Sequence, residues 1–147
     1  MKNINVFTDS KYREPSKKLC ISIIENTLVH HNINIYDINL IFTSDTHVSD
    51  LKKQFFSKDQ WTDVIAFPLI DENKNIIEGE IYISMPTAKE NAKVFNQPHY
   101  KELARLIVHG ALHLLGHKDN TKEKKKDMSR LEDFFLKDIL WGKLFEK

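Results

Sequence analysis

"PHYKELARLIVHGALHLLGHKDN", Pro98 to Asn120, is the stretch from which the rest of the chain can be organised. Its apolar content predicts a long helix from about Pro98 to Leu115. His109 and His113 stand four apart in it, which places both side chains on one face, one turn apart, so two imidazoles can reach one ion. Gly116 follows where a helix C-terminus commonly needs a left-handed residue, and it lets the chain turn back. The turn delivers His117 or Asp119 toward the pair. His117 follows the glycine at once and would have to fold back sharply, whereas Asp119 has two further residues of reach. Asp119 is therefore the preferred third ligand, with His117 beside the site or serving as a proton carrier.

Three protein ligands leave a tetrahedral zinc ion one open position, which is what separates catalytic zinc from closed structural zinc. A single ion so held brings the pKa of water near 7 and polarises a carbonyl or phosphoryl oxygen. This is hydrolytic equipment. The plainer reading, that two histidines merely occupy a helix face, loses ground because Gly116 and Asp119 stand in register behind them. Zinc proteases with His-Glu-x-x-His carry a glutamate beside the first ligand as general base. Here that position is Gly110, so peptide hydrolysis by that route lacks its base.

Working outward from the histidine helix, "INVFT" (Ile4 to Thr8) reads as an opening strand and Ile33 to Thr43 as a second. Between them, Leu19, Ile23, Ile24, Thr27 and Leu28 follow helical spacing, in a helix that ends near His30. Asp45 or Thr46 can cap a short helix carrying Val48, Leu51, Phe55 and Phe56. "TDVIAFPL" (Thr62 to Leu69) and "GEIYISM" (Gly79 to Met85) read as two strands joined by the polar turn "DENKN". Pro86 suits the first turn of the helix that follows. A last amphipathic helix is expected from about Thr121 to Leu144, with Leu131, Phe134, Phe135, Ile139 and Leu140 packing into the core. The expectation is an α+β fold: one domain over residues 1–147, with a small mixed sheet of about four strands packed with helices. The metal site lies on a central helix and its following loop.

The composition of the 147 residues, 41% hydrophobic and 29% charged, excludes a disordered or fibrous chain. The apolar run around Leu103 to Leu115 is broken by Arg105, His109 and His113 and falls short of the roughly 20 residues of a membrane span. The N-terminus lacks the apolar region of a secretory signal, and the single cysteine, Cys20, forms no internal disulfide, so a cytoplasmic protein is expected. Cys20 reads as a buried small hydrophobe. A net charge of +1 gives no global sign of nucleic-acid binding. Lys122, Lys124, Lys125 and Lys126 form the one dense cluster, either a solvated helix start or a phosphate-facing patch.

These motifs resemble a known family. "HGALHLLGHKD" is similar to the His-Gly-x-Leu-His-Leu-x-Gly-Tyr-Asp-His signature of the YbeY family, described as single-strand-specific metallo-endoribonucleases that mature bacterial rRNA. "KDQWTDVIAFP" (Lys58 to Pro68) resembles the family's Asp-x-Pro-Thr-Asp-Val-Leu-Ser-Phe-Pro stretch, and "GEIYIS" (Gly79 to Ser84) its Gly-Asp-Ile-x-Ile-Ser strand. The order and spacing agree from about Leu51 to Asp119. The resemblance implies that His109 and His113 are zinc ligands and that Asp119 takes the third place, where the family usually has histidine. That replacement adds an anion to the site. It also implies that the family's Tyr-Arg pair corresponds to Phe55 and Phe56, which removes the arginine expected to face RNA.

Arg105, Lys58 and the Lys122 to Lys126 cluster are the candidate replacements for that cation. Asp63 either braces the site or ends a turn, and Glu80 either points outward from its strand or lies near the metal cleft. His30, His31, His47 and His99 read as surface or capping residues. The implied activity is zinc-dependent cleavage of single-stranded RNA in 16S rRNA 3′-end maturation and ribosome quality control. The implied partners are 16S rRNA, small-subunit proteins and a ribosome-assembly GTPase, without a membrane. A metal-stabilised assembly factor without cleavage activity and a zinc-dependent amide or ester hydrolase are the rival expectations.

Overall fold

The structure is a computed structural model and describes residues 2–56, 63–68, 76–137 and 143–145, without the side chain of Phe56. Strand β1 (Lys2–Thr8) leads to helix α1 (Lys17–His30), strand β2 (Ile35–Thr43) and helix α2 (Asp45–Phe56). Strands β3 (Val64–Pro68) and β4 (Ile76–Ser84) follow, then helices α3 (Met85–Val94), α4 (His99–Leu114) and α5 (Lys122–Leu136). The sheet order is β1-β2-β4-β3. β1, β2 and β4 are mutually parallel, and β3 pairs antiparallel with β4, so the expected mixed four-stranded α+β fold is what forms.

Local chemistry sets several of the boundaries. The Ser16 hydroxyl accepts the amide of Leu19 and caps α1, and that of Ser84 accepts the amide of Thr87 and caps α3, where Pro86 lies in the first turn. For α2, the side chain that accepts an amide three residues on is Ser44, from His47, rather than Asp45 or Thr46. The hydroxyl of Thr121 accepts the amide of Lys124 and starts α5. That last helix is shorter than expected, because Leu144 lies beyond it in a turn and its carbonyl accepts the amide of Ser16. Ile139, Leu140, Lys58 and the turn at 71–75 lie outside the described residues.

Strand alternation divides the sheet into two faces. Gly79, Ile81 and Ile83 turn toward α4, and Ile81 and Ile83 are fully buried there with Leu103, Leu106, Ile107 and Leu112. Tyr82 faces the other way, against His47 of α2. The α4 face holds the core, and there α4 packs on β3 and β4 and against its neighbours α1, α3 and α5. Cys20 is fully buried in that core as expected, and burial pushes its thiol up to about 12. Phe135 is also buried, but Phe134 is half exposed and packs edge-on against Phe135 and His30. Among the described residues no helix is long and apolar enough to cross a membrane.

Candidate metal centre

The end of α4 closes with the geometry its glycine requires. The amide of Gly116 donates to the carbonyl of His113, and that of His117 to the carbonyl of Leu112, with Gly116 at φ +97°. This pair of bonds is a Schellman closure, and it reverses the chain so that Asp119 returns to the helix face it has just left. Asp119 Oδ2 lies 3.6 Å from Nε2 of His109 and 3.6 Å from Nε2 of His113. The two Nε2 atoms are 3.0 Å apart. A tetrahedral zinc ion with bonds of roughly 2.0–2.1 Å separates its ligand atoms by roughly 3.3–3.4 Å. The three edges observed bracket that value, so the residues present fit the ion.

The orientation of His109 is set from behind. Its Nδ1 donates to Glu132 Oε2 of α5 at 2.5 Å, which leaves Nε2 as a bare lone pair aimed at the site. Glu132 is only 3% exposed, and its other oxygen accepts Nη1 of Arg105 at 2.8 Å. Burial alone would raise the Glu132 carboxyl, but the hydrogen bonds from His109 and Arg105 outweigh it and hold the group below its ordinary value. Arg105 also binds both oxygens of Glu102, at 2.8 and 2.6 Å. Asn91 then donates to Glu102 Oε2 at 3.3 Å and to Asp63 Oδ2 at 2.9 Å. A continuous polar line thus runs from Asp63 at the mouth of β3 to the metal centre.

Arg105 is therefore not a free cation for a phosphate. Two carboxylates, both almost fully buried, take its Nε, Nη1 and Nη2, and they raise its pKa against the opposing effect of burial. Asp63 braces the site at a distance, through Asn91. Glu80 projects to the sheet face away from α4 and accepts the hydroxyl of Tyr82. Lys122, Lys124, Lys125 and Lys126 are exposed along the first turns of α5. Phe55 is 59% exposed and meets Phe67 edge-on.

His117 turns away from the other two histidines. Its Nε2 is 2.9 Å from Nε2 of His31, whose Nδ1 donates to the carbonyl of Thr27 at 2.8 Å. His31 is thus more than a cap on α1, because it ties that helix to the metal loop. Burial, and next the neighbouring His31, lower the pKa of His117. Burial, then His109, likewise lower that of His113, against the pull of Asp119 and Glu132. Gly110 has a packing reason to stay bare: a Cβ there would lie 2.5 Å from Cγ2 of Ile81. A glutamate there would have to displace Ile81 of β4.

Glu132, Glu102 and Asn91 are the members of the site that sequence reasoning did not name, and His31 is expected from sequence only as a surface or capping residue. The two glutamates did leave a signal. Glu132 stands in the apolar stripe Met128, Phe135 and Leu136, and Glu102 in the buried run of α4, so each interrupts a buried face with a charge.

Comparison with known proteins agrees with this architecture. The family model for YbeY, described as Endoribonuclease YbeY, matches residues 3–140. The Endoribonuclease YbeY of Amoebophilus asiaticus is 33% identical over 135 residues, 91% of each chain. That of Persephonella marina is 36% identical over 132 residues, 86% of each chain. The solution structure of TM1509 from Thermotoga maritima superposes with a TM-score of 0.63 at 29% identity, covering 95% of this chain and 90% of that one.

Proposed function

Because the chain belongs to the YbeY family, we propose that it is a zinc-dependent endoribonuclease acting on single-stranded RNA in the cytoplasm. Its role is in 16S rRNA 3′-end maturation and ribosome quality control. Its partners are 16S rRNA and small-subunit proteins, with a ribosome-assembly GTPase as a further one. The observation that carries the reading is the convergence of His109 Nε2, His113 Nε2 and Asp119 Oδ2 on one point, with Glu132 fixing the orientation of His109.

Zinc held there supplies Lewis acidity toward a phosphate oxygen and a source of hydroxide near neutral pH. The protein's own residues do the rest. Glu132 keeps a proton on Nδ1 of His109, so Nε2 stays available as a donor. Arg105 balances the Glu132 charge inside the protein. Asp119 contributes one negative charge, which makes the water less acidic than three histidines would. His117 has its Nε2 committed to His31 and would carry a proton through Nδ1.

A second reading has specific support. Arg105 is engaged by buried carboxylates, and Phe55 and Phe56 stand where relatives are expected to carry Tyr-Arg, so a phosphate-facing cation is missing from its usual place. This favours an assembly factor in which metal mainly holds helix and loop together. The amide-hydrolase reading loses support from the packing around Gly110.

The test is cleavage of a single-stranded RNA spanning the 16S 3′ end by zinc-replete protein beside a folded His113→Ala variant. Cleavage by the wild type alone supports the nuclease, and a cyclic phosphate on the product identifies the 2′-hydroxyl as nucleophile. Equal cleavage by both assigns the activity elsewhere. Cleavage by neither moves the assembly-factor reading ahead.

A further inference from the structure

The far end of α4 borders a groove that the metal centre does not use. In open sheets with parallel strands, ligands settle in the crevice beyond the carboxyl ends of those strands. Here β1 is followed by Lys11 and Arg13, and β4 runs directly into α3 through Met85. These residues, with Pro86, Lys89 and His99, wall a cavity of about 430 Å³. That volume is ordinary for a small-ligand site, which runs roughly 300–1,000 Å³.

The lining is one-signed. Three cations face the groove, and among the described residues no acidic side chain does. Lys11 and Lys89 enter no ion pair among the described residues. Arg13 donates from Nη2 to the carbonyl of Phe145 at 2.5 Å and lies over that ring at 5.1 Å, contacts that position its charge without neutralising it. His99 stacks on the same ring, with centroids 5.5 Å apart, and its Nδ1 is buried without a hydrogen-bond partner. Burial, and next the charge of Lys89, keep the His99 imidazole below its ordinary value. His99 and Phe145 thus pack the wall of the groove, and its positive charge is carried by Lys11, Arg13 and Lys89. The first turns of α3 and α4 border the groove and add the positive ends of their dipoles.

We propose that this groove is a second binding site, specific for phosphate groups. Its natural occupant, resting on the nuclease reading, is a phosphodiester of the RNA strand. α4 links the two sites, with His99 at the groove and His109 and His113 at the metal centre. Ten to fourteen residues at 1.5 Å each put them about 15–21 Å apart. A stacked strand advancing about 3.4 Å per nucleotide needs at least about five nucleotides to reach from one to the other.

The test uses the full chain with a labelled 2′-O-methyl RNA of about twelve nucleotides, inorganic pyrophosphate and adenosine monophosphate. In anisotropy titrations, Lys11→Glu/Lys89→Glu is expected to weaken RNA binding about tenfold or more. It should also flatten the logarithmic salt dependence by about 1.4, the share of two phosphate contacts on a single strand. The charge-matched control Lys2→Glu/Lys137→Glu should do neither. Equal losses in the two double variants would reduce the effect to net charge and overturn the site, as would no loss in either.

Tighter binding of the RNA than of adenosine monophosphate assigns the occupant to the strand. The reverse order keeps the phosphate site and overturns RNA as its occupant. If the wild type binds no RNA, the nuclease reading fails on its own, and the groove is decided by pyrophosphate alone. A shift of the His99 imidazole resonance that vanishes in Lys11→Glu/Lys89→Glu then retains the site, and no shift in the wild type removes it.

Discussion

His109 Nδ1 and Glu132 Oε2 are held 2.5 Å apart, so a carboxylate from α5 decides which nitrogen of an α4 histidine faces His113 and Asp119 in the candidate metal site. Glu132→Gln keeps an acceptor but loses the charge. Loss of such a supporting partner typically costs about 10–100-fold in metal affinity, and that is the drop expected in a competition titration against a chromophoric chelator. Glu132→Ala should add a loss of roughly 1.5–3 kcal/mol in metal-free stability, because it also takes one of the two carboxylates from Arg105, which keeps Glu102. Urea unfolding checks this, and an unchanged midpoint would separate Glu132 from the fold.

Asp119 and His117 compete for one role in sequence and part company in space. Asp119→Ala is expected to weaken zinc binding by at least about tenfold, while His117→Ala leaves it near the wild-type value. The same chelator titration reads both. The opposite ranking would show the loop rearranging to bring His117 in.

Gly110→Ala pushes a methyl group against Ile81 at 2.5 Å, on the side of α4 that packs on β4. Overpacking of this kind costs about 1–3 kcal/mol. Ile81→Ala in the same chain should return part of that loss, giving a favourable coupling in a double-mutant cycle. Strict additivity would mean that the backbone, rather than Ile81, limits the position.

The Cys20 thiol is raised from 9.0 to about 12 by burial, and the Tyr36 hydroxyl from 10.0 to about 12 by burial and its hydrogen bond to Glu25. Both folded values lie above the unfolded ones, so the unfolded chain releases these protons first. Their contribution to stability is complete below pH 9 and is lost as pH rises from 9 toward 12. Denaturation midpoints should fall across that window, and less steeply in Cys20→Ala. At about pH 8, native Cys20 should resist a thiol reagent that modifies the unfolded chain fully.

The legible parts of this protein were those whose signal is local. A four-residue spacing on a helix is a statement about one face, so His109 and His113 could be paired from sequence, and Gly116 supplied the turn that returned Asp119. The strand order was not legible, since alternation says which residues share a face but not that β4 enters between β2 and β3. Glu132 lies 23 residues from His109, and nothing local separates it from the other acidic residues of α5 except the apolar company it keeps. Of the three candidate replacement cations, Arg105 drops out for the complementary reason. Arg105 looks like any surface arginine until Glu102 and Glu132 are seen around it, and no spacing rule joins Arg105 to a residue 27 positions away.

Arg13 and Phe145 meet across 132 positions, and Ser16 meets Leu144 beside them. Closing a loop of that length carries an entropic penalty that local pairing cannot offset in advance. These two contacts depend on residues 144 and 145, unlike the amide of Asp9 in the same stretch, which donates to the carbonyl of Phe42. A change at Phe145 is thus expected to be felt first at Arg13 and His99, which it touches, and not at His109 and His113.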